Sequence, residues 1–547
     1  MHRRLSRLGA VNPLFVALLG GIIAFAGLLF LLPKSGRVET RQDGESAQVK
    51  PLTVLAAAGL RKPIEAILEQ YKSECGVAVD VQYGGSNMLL NQLKVNKFEE
   101  PDLFLAADSF YIEEAVAQGL AAEVMPLASQ VPVIAFRKDK APADRSSWKA
   151  LLRGETRWSI ADPDQAAIGK SVRDLLSKIR TGEGEKATLW DELNRQATEK
   201  GVFKPTVNEV ANDVKIGAVD VGIVWSSTVA SPEYRDELVG VRLDELEETQ
   251  GFGDISENVD VAVLTTSNRP TEAIRLARYI AASDRGLKTF SQFGMTAKEG
   301  DEWELQPEIT FYCGAVNRRA IEPVLDAFQK REGVIVNTVF DGCGILTSRM
   351  GTIEGQSQQL GFPDVYMACD RYYLDNVKDW FQEDVDVSET RIVLVVPKGS
   401  DKVRSVEDLI KPGVRVSVGE PDQCTIGALT RRLLRELGLY DALKNKQGEA
   451  GEIVVEKSSS ALIVPDVVTG HVDAAIAYRN DVLTHQDKVD VIPIDSPLTR
   501  AIQPLSIARN SRHKELVRRL YRQVEKAKQG FETVGFEFLL SDPATKF

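Results

Sequence analysis

The sequence predicts an α/β protein made of two tandem copies of one domain, each of two α/β lobes, preceded by one N-terminal transmembrane helix. Three observations carry the prediction. A strand, a Gly-containing turn and a helix start occur twice: Val77–Val81 leads into Tyr83-Gly84-Gly85-Ser86-Asn87-Met88-Leu89, and Val334–Val339 leads into Phe340-Asp341-Gly342-Cys343-Gly344-Ile345-Leu346. Four further segments recur in the same order at an offset of about 255 residues, the mark of an internal repeat. Short apolar runs alternate with amphipathic stretches throughout, as strands feeding helices do.

In chain order, residues 1–33 read as a membrane segment. Arg3, Arg4 and Arg7 precede an uncharged apolar run from about Val11 to Leu32, long enough for a bilayer, which needs about 20 apolar residues. The positive flank stays cytoplasmic, so the bulk of the chain faces the periplasm or the outside of the cell. With no Ala-x-Ala signature and no Cys for lipid attachment after the run, the expectation is a single-pass anchor, a cleaved signal peptide being the alternative. Residues 34–50 are polar and charged and read as a flexible tether.

The first domain is expected over 51–298. Leu52–Ala58 is a short buried strand, and Leu60–Tyr71 is an amphipathic helix with Ile64, Ile67, Leu68 and Tyr71 on one face. After the Gly85-Ser86 turn comes the strand Pro101–Asp108. Val131–Phe136 crosses away, and Trp158–Pro163 opens a second α/β unit that includes Ile168-Gly169-Lys170 and a helix to about Ile179. A helix from about Glu209 leads to the strand ending at Trp225. Val259–Leu264 and the helix Ala273–Ala281 return to the first unit. The charged stretch 299–307 is the linker.

The second domain, 308–547, repeats that order. Ile309–Ala315 matches the first strand, and Phe362–Asp370 matches the segment ending at Asp108. Gly419–Gly427 matches Ala161–Gly169, sharing Pro-Asp-Gln and Ile-Gly, and Gly470–Tyr478 matches Gly217–Trp225. Each Gly-containing turn before a helix is a potential anion site, because unpaired N–H groups and the helix dipole favour negative charge.

Composition narrows the function. The 547 residues carry a net charge of −12, with no basic stripe interleaved with aromatics, which argues against a nucleic-acid partner. His2, His471, His485 and His513 are scattered, so neither a His-rich metal site nor a Ser–His–Asp hydrolase is indicated. No nucleophile–base pair, phosphate loop or paired-carboxylate motif stands out, no cofactor is implied, and catalysis is not expected.

Each copy resembles the periplasmic molybdate-binding component of ABC transporters, of the type II periplasmic binding protein fold. The resemblance rests on Ala56-Ala57-Ala58-Gly59-Leu60, Gly84-Gly85-Ser86, Pro101-Asp102 with Ala107-Asp108, Ala161-Asp162-Pro163, and Gly217-x-Val219-Asp220 leading to Gly222-Ile223-Val224-Trp225. It implies two lobes closing on a cleft, where small hydroxyls, backbone N–H groups and a tyrosine surround a small inorganic oxyanion such as molybdate or tungstate, with an ABC permease as partner. In the first copy it places Gly59, Ser86, Ala166, Ala167, Val207 and Trp225 at the ligand, with Gly59 where a hydroxyl is usual and Trp225 for the tyrosine. In the second it places Ala315, Cys343, Cys424, Thr425, Ser460 and Tyr478 there, with Ala315 and Cys343 replacing both hydroxyls. Away from a site, Ser86 would be a helix cap and Tyr478 a core aromatic.

Cys75 stands alone in the first copy, placed beyond the helix that starts at Leu60. Matching the repeats aligns Cys313 with Ala57, Cys343 with Ser86, Cys369 with Ala107 and Cys424 with Ala166, all rimming the second cleft. They read as inert buried thiols, as one or two disulfides, or as thiolate ligands to a soft metal such as Cu(I) or Zn(II). Alternatives to the transport reading are thus a membrane-anchored sensor or scaffold, or a soft-metal or thiol site in the second domain.

Overall fold

In the first copy Leu52–Ala57 is apolar almost throughout because it is flanked by parallel strands on both edges. Leu52 pairs with Val79 of Val79–Gly84, and Val54 with Leu103 of Leu103–Ala106. The chain leaves the first strand through the short turn Ala58–Leu60 into the helix Arg61–Cys75, which buries Ile64, Ile67, Leu68 and Tyr71. That helix ends at Gly76, whose φ of 70° is the left-handed C-terminal geometry glycine adopts without strain. Cys75 is its last residue rather than lying beyond it. Glu257–Leu264 returns antiparallel to Leu103–Ala106 and to Ala121–Gln130, completing a six-stranded sheet. A second, five-stranded sheet holds Pro132–Arg137, Trp158–Ala161 and Val221–Trp225. The computed structural model describes residues 50–95, 100–147, 156–181, 187–200, 203–250, 252–354 and 361–540.

The second copy repeats these elements with the same registers. Glu308–Gly314 pairs in parallel with Ile335–Asp341 and Val365–Met367, and Arg500–Ala508 returns antiparallel. The registers correct one alignment. Cys313 lies opposite Phe340 and Met367 as Ala56 lies opposite Tyr83 and Leu105, so Cys313 corresponds to Ala56, not Ala57, and Ala315 to Ala58. A run of three alanines offers sequence matching no side chain with which to fix the register; strand pairing does.

One feature differs between the copies. Phe381–Pro397 is a single 17-residue strand that pairs first with Arg500–Ala508 and then, from Ile392, with Ala474–Tyr478, fusing both lobes into one ten-stranded sheet. In the first copy the equivalent path breaks between Gln130 and Pro132. Pro132 sits opposite Trp225 as Ile392 sits opposite Tyr478. Pro132 opens the next strand, Pro132–Arg137, and, lacking an N–H, offers no donor with which to extend the ladder back toward Gln130.

Both copies belong to one compact unit beginning at Pro51. Arg331 makes a two-pronged ion pair with Glu123 (2.8 and 2.9 Å), and Arg522 donates to the Val124 carbonyl at 3.0 Å. The irregular stretch 299–307 is fastened on both sides. Asp301 accepts the Glu515 and Leu516 amides at 2.9 Å, capping the helix Lys514–Glu525, while Trp303 packs edge-on against Tyr279 at 4.9 Å. The N-terminal span 1–33, and 34–50 apart from Lys50, lie outside the described residues, among which no helix is long and apolar enough to cross a membrane.

Candidate functional site

The first copy's two sheets face each other across a small, tight pocket that brings together Gly59, Ser86, Ala166, Ala167, Val207 and Trp225. Three helices start at its wall: Ser86–Lys94 from one lobe, Ala167–Leu176 and Val207–Lys215 from the other. Their first amides have no intrahelical acceptor, and their dipoles put partial positive charge into the pocket. Every lining residue is uncharged, so the positive potential comes from backbone alone. Ser86 is buried, and its Oγ accepts the Ala107 N–H at 3.2 Å, which leaves its hydroxyl hydrogen for the pocket. At Gly59 a Cβ would stand 3.0 Å from Val207 Cγ1 and 3.5 Å from Trp225 Cδ1. Val207 is thus the neighbour that limits the room for a side chain at 59, while the Trp225 indole stands at ordinary contact distance.

The lobes are clasped over this pocket. Asn87 Nδ2 donates to the Asp164 carbonyl at 2.6 Å, the Met88 amide to Gln165 O at 3.4 Å, and Asn208 Nδ2 to Ala58 O at 2.9 Å. Outside them, Lys170 reaches Asp108 at 3.5 Å and lies over the Phe110 ring, while Ser171 donates to Glu257 at 2.7 Å. Burial, with Asp108 nearby, raises the Glu257 carboxyl above its ordinary value. Gln130 ties the floor, donating to Ala107 O at 3.3 Å and accepting from Ser227 at 2.6 Å.

Thr206 and Asn208 belong to this site and were missed in sequence. Thr206 was legible: Thr206-x-x-Glu209 is a capping box, which the structure forms, and it marks the helix start two residues earlier than hydrophobic periodicity does. Gly85 was legible as part of the glycine turn before Ser86, and the structure adds that a Cβ there would sit 2.1 Å from Gln165 O across the cleft.

In the second copy Cys343, Cys424, Thr425, Ser460 and Tyr478 are all buried, and Ala315 is half-buried at the turn after the first strand. The lobes meet again, with the Ile345 amide on Gln423 O at 3.3 Å and Tyr373 Oη on Pro421 O at 3.4 Å. Cys343 accepts the Cys369 N–H at 3.1 Å, the same contact Ser86 makes with Ala107, which supports that pair of equivalences. The Cys343 and Cys369 sulfurs stand 2.9 Å apart. Burial opposes ionisation of Cys343, but the donors around it, the Cys369 thiol first, outweigh burial and hold it below the ordinary thiol range; burial pushes Cys369 and Cys313 well above that range. The Tyr478 hydroxyl is buried without a hydrogen-bond partner among the described residues.

The expected soft-metal set of Cys313, Cys343, Cys369 and Cys424 does not assemble. Among the described residues no group of three or more His, Cys, Asp or Glu could hold a metal ion. Cys424 turns its thiol to the Lys457 and Glu420 carbonyls (3.3 and 3.5 Å), and Cys313 to Gly314 O at 3.6 Å. All five cysteines are free thiols.

The sequence model of a family described as bacterial extracellular solute-binding protein matches twice, over residues 52–296 and 309–537. A binding protein of Haemophilus influenzae is 30% identical over 249 residues, covering 46% of this chain and 92% of that protein. The molybdate-binding protein ModA of Escherichia coli is 30% identical over 135 residues, covering 23% of this chain and 51% of that protein. Among solved structures, the periplasmic molybdate-binding protein of Azotobacter vinelandii is similar at 16% identity and a TM-score of 0.37, covering 45% of this chain and all of that one.

Proposed function

Because the chain belongs to the bacterial extracellular solute-binding protein family, represented in both copies, we propose that it is an extracytoplasmic binding protein that captures a small tetrahedral oxyanion, molybdate or tungstate, in its first cleft. One observation carries the reading: a pocket without charged side chains, into which three helix N-termini and the Ser86 hydroxyl converge. Converging neutral donors, with water excluded, hold a dianion without a buried counter-charge. No catalysis is involved, since such donors hold an anion without altering it. The ModA relatives, named for molybdate, support the choice of ligand. An ABC permease is the proposed partner. The segment 1–33 is the proposed single-pass anchor, which would raise the local concentration of binding protein at the membrane.

The second copy is proposed as a diverged partner. With the Cys343 thiol where the first copy has the Ser86 hydroxyl, it offers a weaker donor to an oxyanion at that position, although Tyr478 supplies a hydroxyl where the first copy has an indole. This divergence favours a second reading, in which the second copy is a docking or sensing half that reports occupancy of the first.

Calorimetry on the purified chain tests the main reading. Molybdate and tungstate are titrated under reducing conditions, with sulfate and phosphate as controls. Binding of molybdate or tungstate at one site per chain, lost in Ser86→Ala, supports it. Absence of heat with all four anions refutes it.

A further inference from the structure

The end of the second copy's first strand differs from its counterpart in three residues that touch one another. Where the first copy has Ala57, Ser86 and Ala107, the second has Gly314, Cys343 and Cys369. Glu308–Gly314 lies between Ile335–Asp341 and Val365–Met367, so Cys343 and Cys369 arrive from either side of it. Their sulfurs stand 2.9 Å apart, on the side of Gly314 that a Cβ would occupy. Such a Cβ would lie 2.1 Å from the Cys369 sulfur and 2.8 Å from that of Cys343. The methyl that Ala57 carries is thus absent where two sulfurs need the room. Cys343 opens the helix Cys343–Glu354, and its sulfur accepts the Cys369 N–H at 3.1 Å; both features favour its thiolate. Cys313 and Cys424 point to backbone carbonyls instead, which sets them apart from the pair.

From this arrangement we infer that Cys343 and Cys369 form an oxidative modification site, at which hydrogen peroxide closes a disulfide in the second copy. The Cys343 thiolate attacks one peroxide oxygen: an S–O bond forms, the O–O bond breaks, and hydroxide leaves and takes up the proton that Cys343 released. The Cys369 thiol then attacks the Cys343 sulfur: an S–S bond forms, the S–O bond breaks, and water leaves with the Cys369 proton. Two electrons pass from the sulfur pair to the peroxide, which ends as water. A disulfide holds its sulfurs about 2.0 Å apart, so the pair has less than about 1 Å to travel. Cys369 keeps 5% of its surface exposed whereas Cys343 is fully buried, so a water-sized oxidant enters from the Cys369 side and a bulky thiol reagent is kept out. Closure removes the thiol that stands where the first copy offers the Ser86 hydroxyl. The first copy has no sulfur at any of the three positions, so the reaction alters the second cleft alone.

Hydrogen peroxide is applied to the reduced, native full chain carrying Cys75→Ser, which removes the half-buried thiol. The reaction is stopped with catalase, the free thiols are alkylated in denaturant, and the digest is read by mass spectrometry. The expected product has lost two hydrogens and yields one linked pair of peptides, joining Cys343 to Cys369, with Cys313 and Cys424 alkylated. Tying residues 343–369 into a loop should raise the melting temperature, a rise that dithiothreitol reverses and Cys343→Ser abolishes. Gly314→Ala, which puts a methyl between the sulfurs, should slow closure roughly tenfold or more. Cys343 and Cys369 both free after peroxide, sulfinic acid at Cys343 in place of the link, or a link from either to Cys313 or Cys424 overturns the inference. If Gly314→Ala does not fold, Cys343→Ser, which installs the first copy's residue, carries the comparison; a peroxide-induced rise in melting temperature equal to the parent's overturns it equally.

Discussion

Replacing Ser86 by cysteine gives the first cleft the side chain that the second copy already carries at the equivalent Cys343. Ser86 has two tasks: its oxygen accepts the buried Ala107 N–H at 3.2 Å, and its hydroxyl hydrogen is free for the pocket. Cys343 performs the first task with sulfur, accepting the Cys369 N–H at 3.1 Å. Ser86→Cys therefore retains the acceptor and weakens only the donor, whereas Ser86→Ala removes both. A hydrogen bond to a charged group contributes about 1.5–3 kcal/mol, so Ser86→Cys is expected to weaken molybdate roughly tenfold to a hundredfold. An unsatisfied buried N–H costs about 1–3 kcal/mol, so only Ser86→Ala should also lose that much stability. Calorimetry reads the affinity and urea unfolding the stability, both under reducing conditions. If Ser86→Cys binds molybdate within about threefold of the parent, less than 1 kcal/mol, Ser86 is a structural acceptor only and the donor argument fails.

Three further outcomes follow from the geometry. Gly85→Ala puts a methyl 2.1 Å from Gln165 O and should wedge the first cleft, costing about 1–3 kcal/mol of closure and tenfold or more in oxyanion affinity; small-angle scattering of the ligand-bound protein should show a larger particle, and unchanged scattering and affinity would count against a closed binding state. Burial pushes the Asp260 carboxyl up to about 6 from an ordinary 3.8, so the folded state holds a proton that the unfolded chain has released; stability should fall as pH rises from about 4 to 6, by about 3 kcal/mol, and Asp260→Asn should flatten that slope in urea titrations across the range. In native protein a thiol reagent should modify the half-buried Cys75 promptly and the four buried cysteines only on unfolding, whereas prompt reaction of a second thiol would show that the second cleft opens readily.

The repeat was legible because both copies keep the same punctuation, a glycine turn after a buried strand, and because parallel strands buried on both faces leave unbroken apolar runs such as Leu52–Ala57. The first pocket was legible for the same reason, since Ser86, Ala167 and Val207 sit at or beside helix starts. The one-residue slip at Cys313 came from alanines that carry no positional information. Side-chain direction was not legible: sequence places four thiols near one cleft but does not say that Cys424 and Cys313 turn to carbonyls. Arg278 gave no warning at all. An arginine on an amphipathic helix reads as surface, yet Arg278 is buried at a pocket lined by the second copy and the linker as well as by the first copy.

The unbroken strand Phe381–Pro397 has a mechanical consequence. A hinge works where few ladder pairs cross the joint, and in the first copy the strand path is interrupted at Val131, held there, among the described residues, only by the paired contacts of its N–H and C=O with Ser226. The second copy runs a laddered beam through the same place, so bending its lobes apart means breaking pairs such as Arg391 with Arg500 or Ile392 with Tyr478. The tandem is then a joint in series with a strut. A body gripping the second half would feel a fixed handle, while the stroke that accompanies capture and release stays in the first.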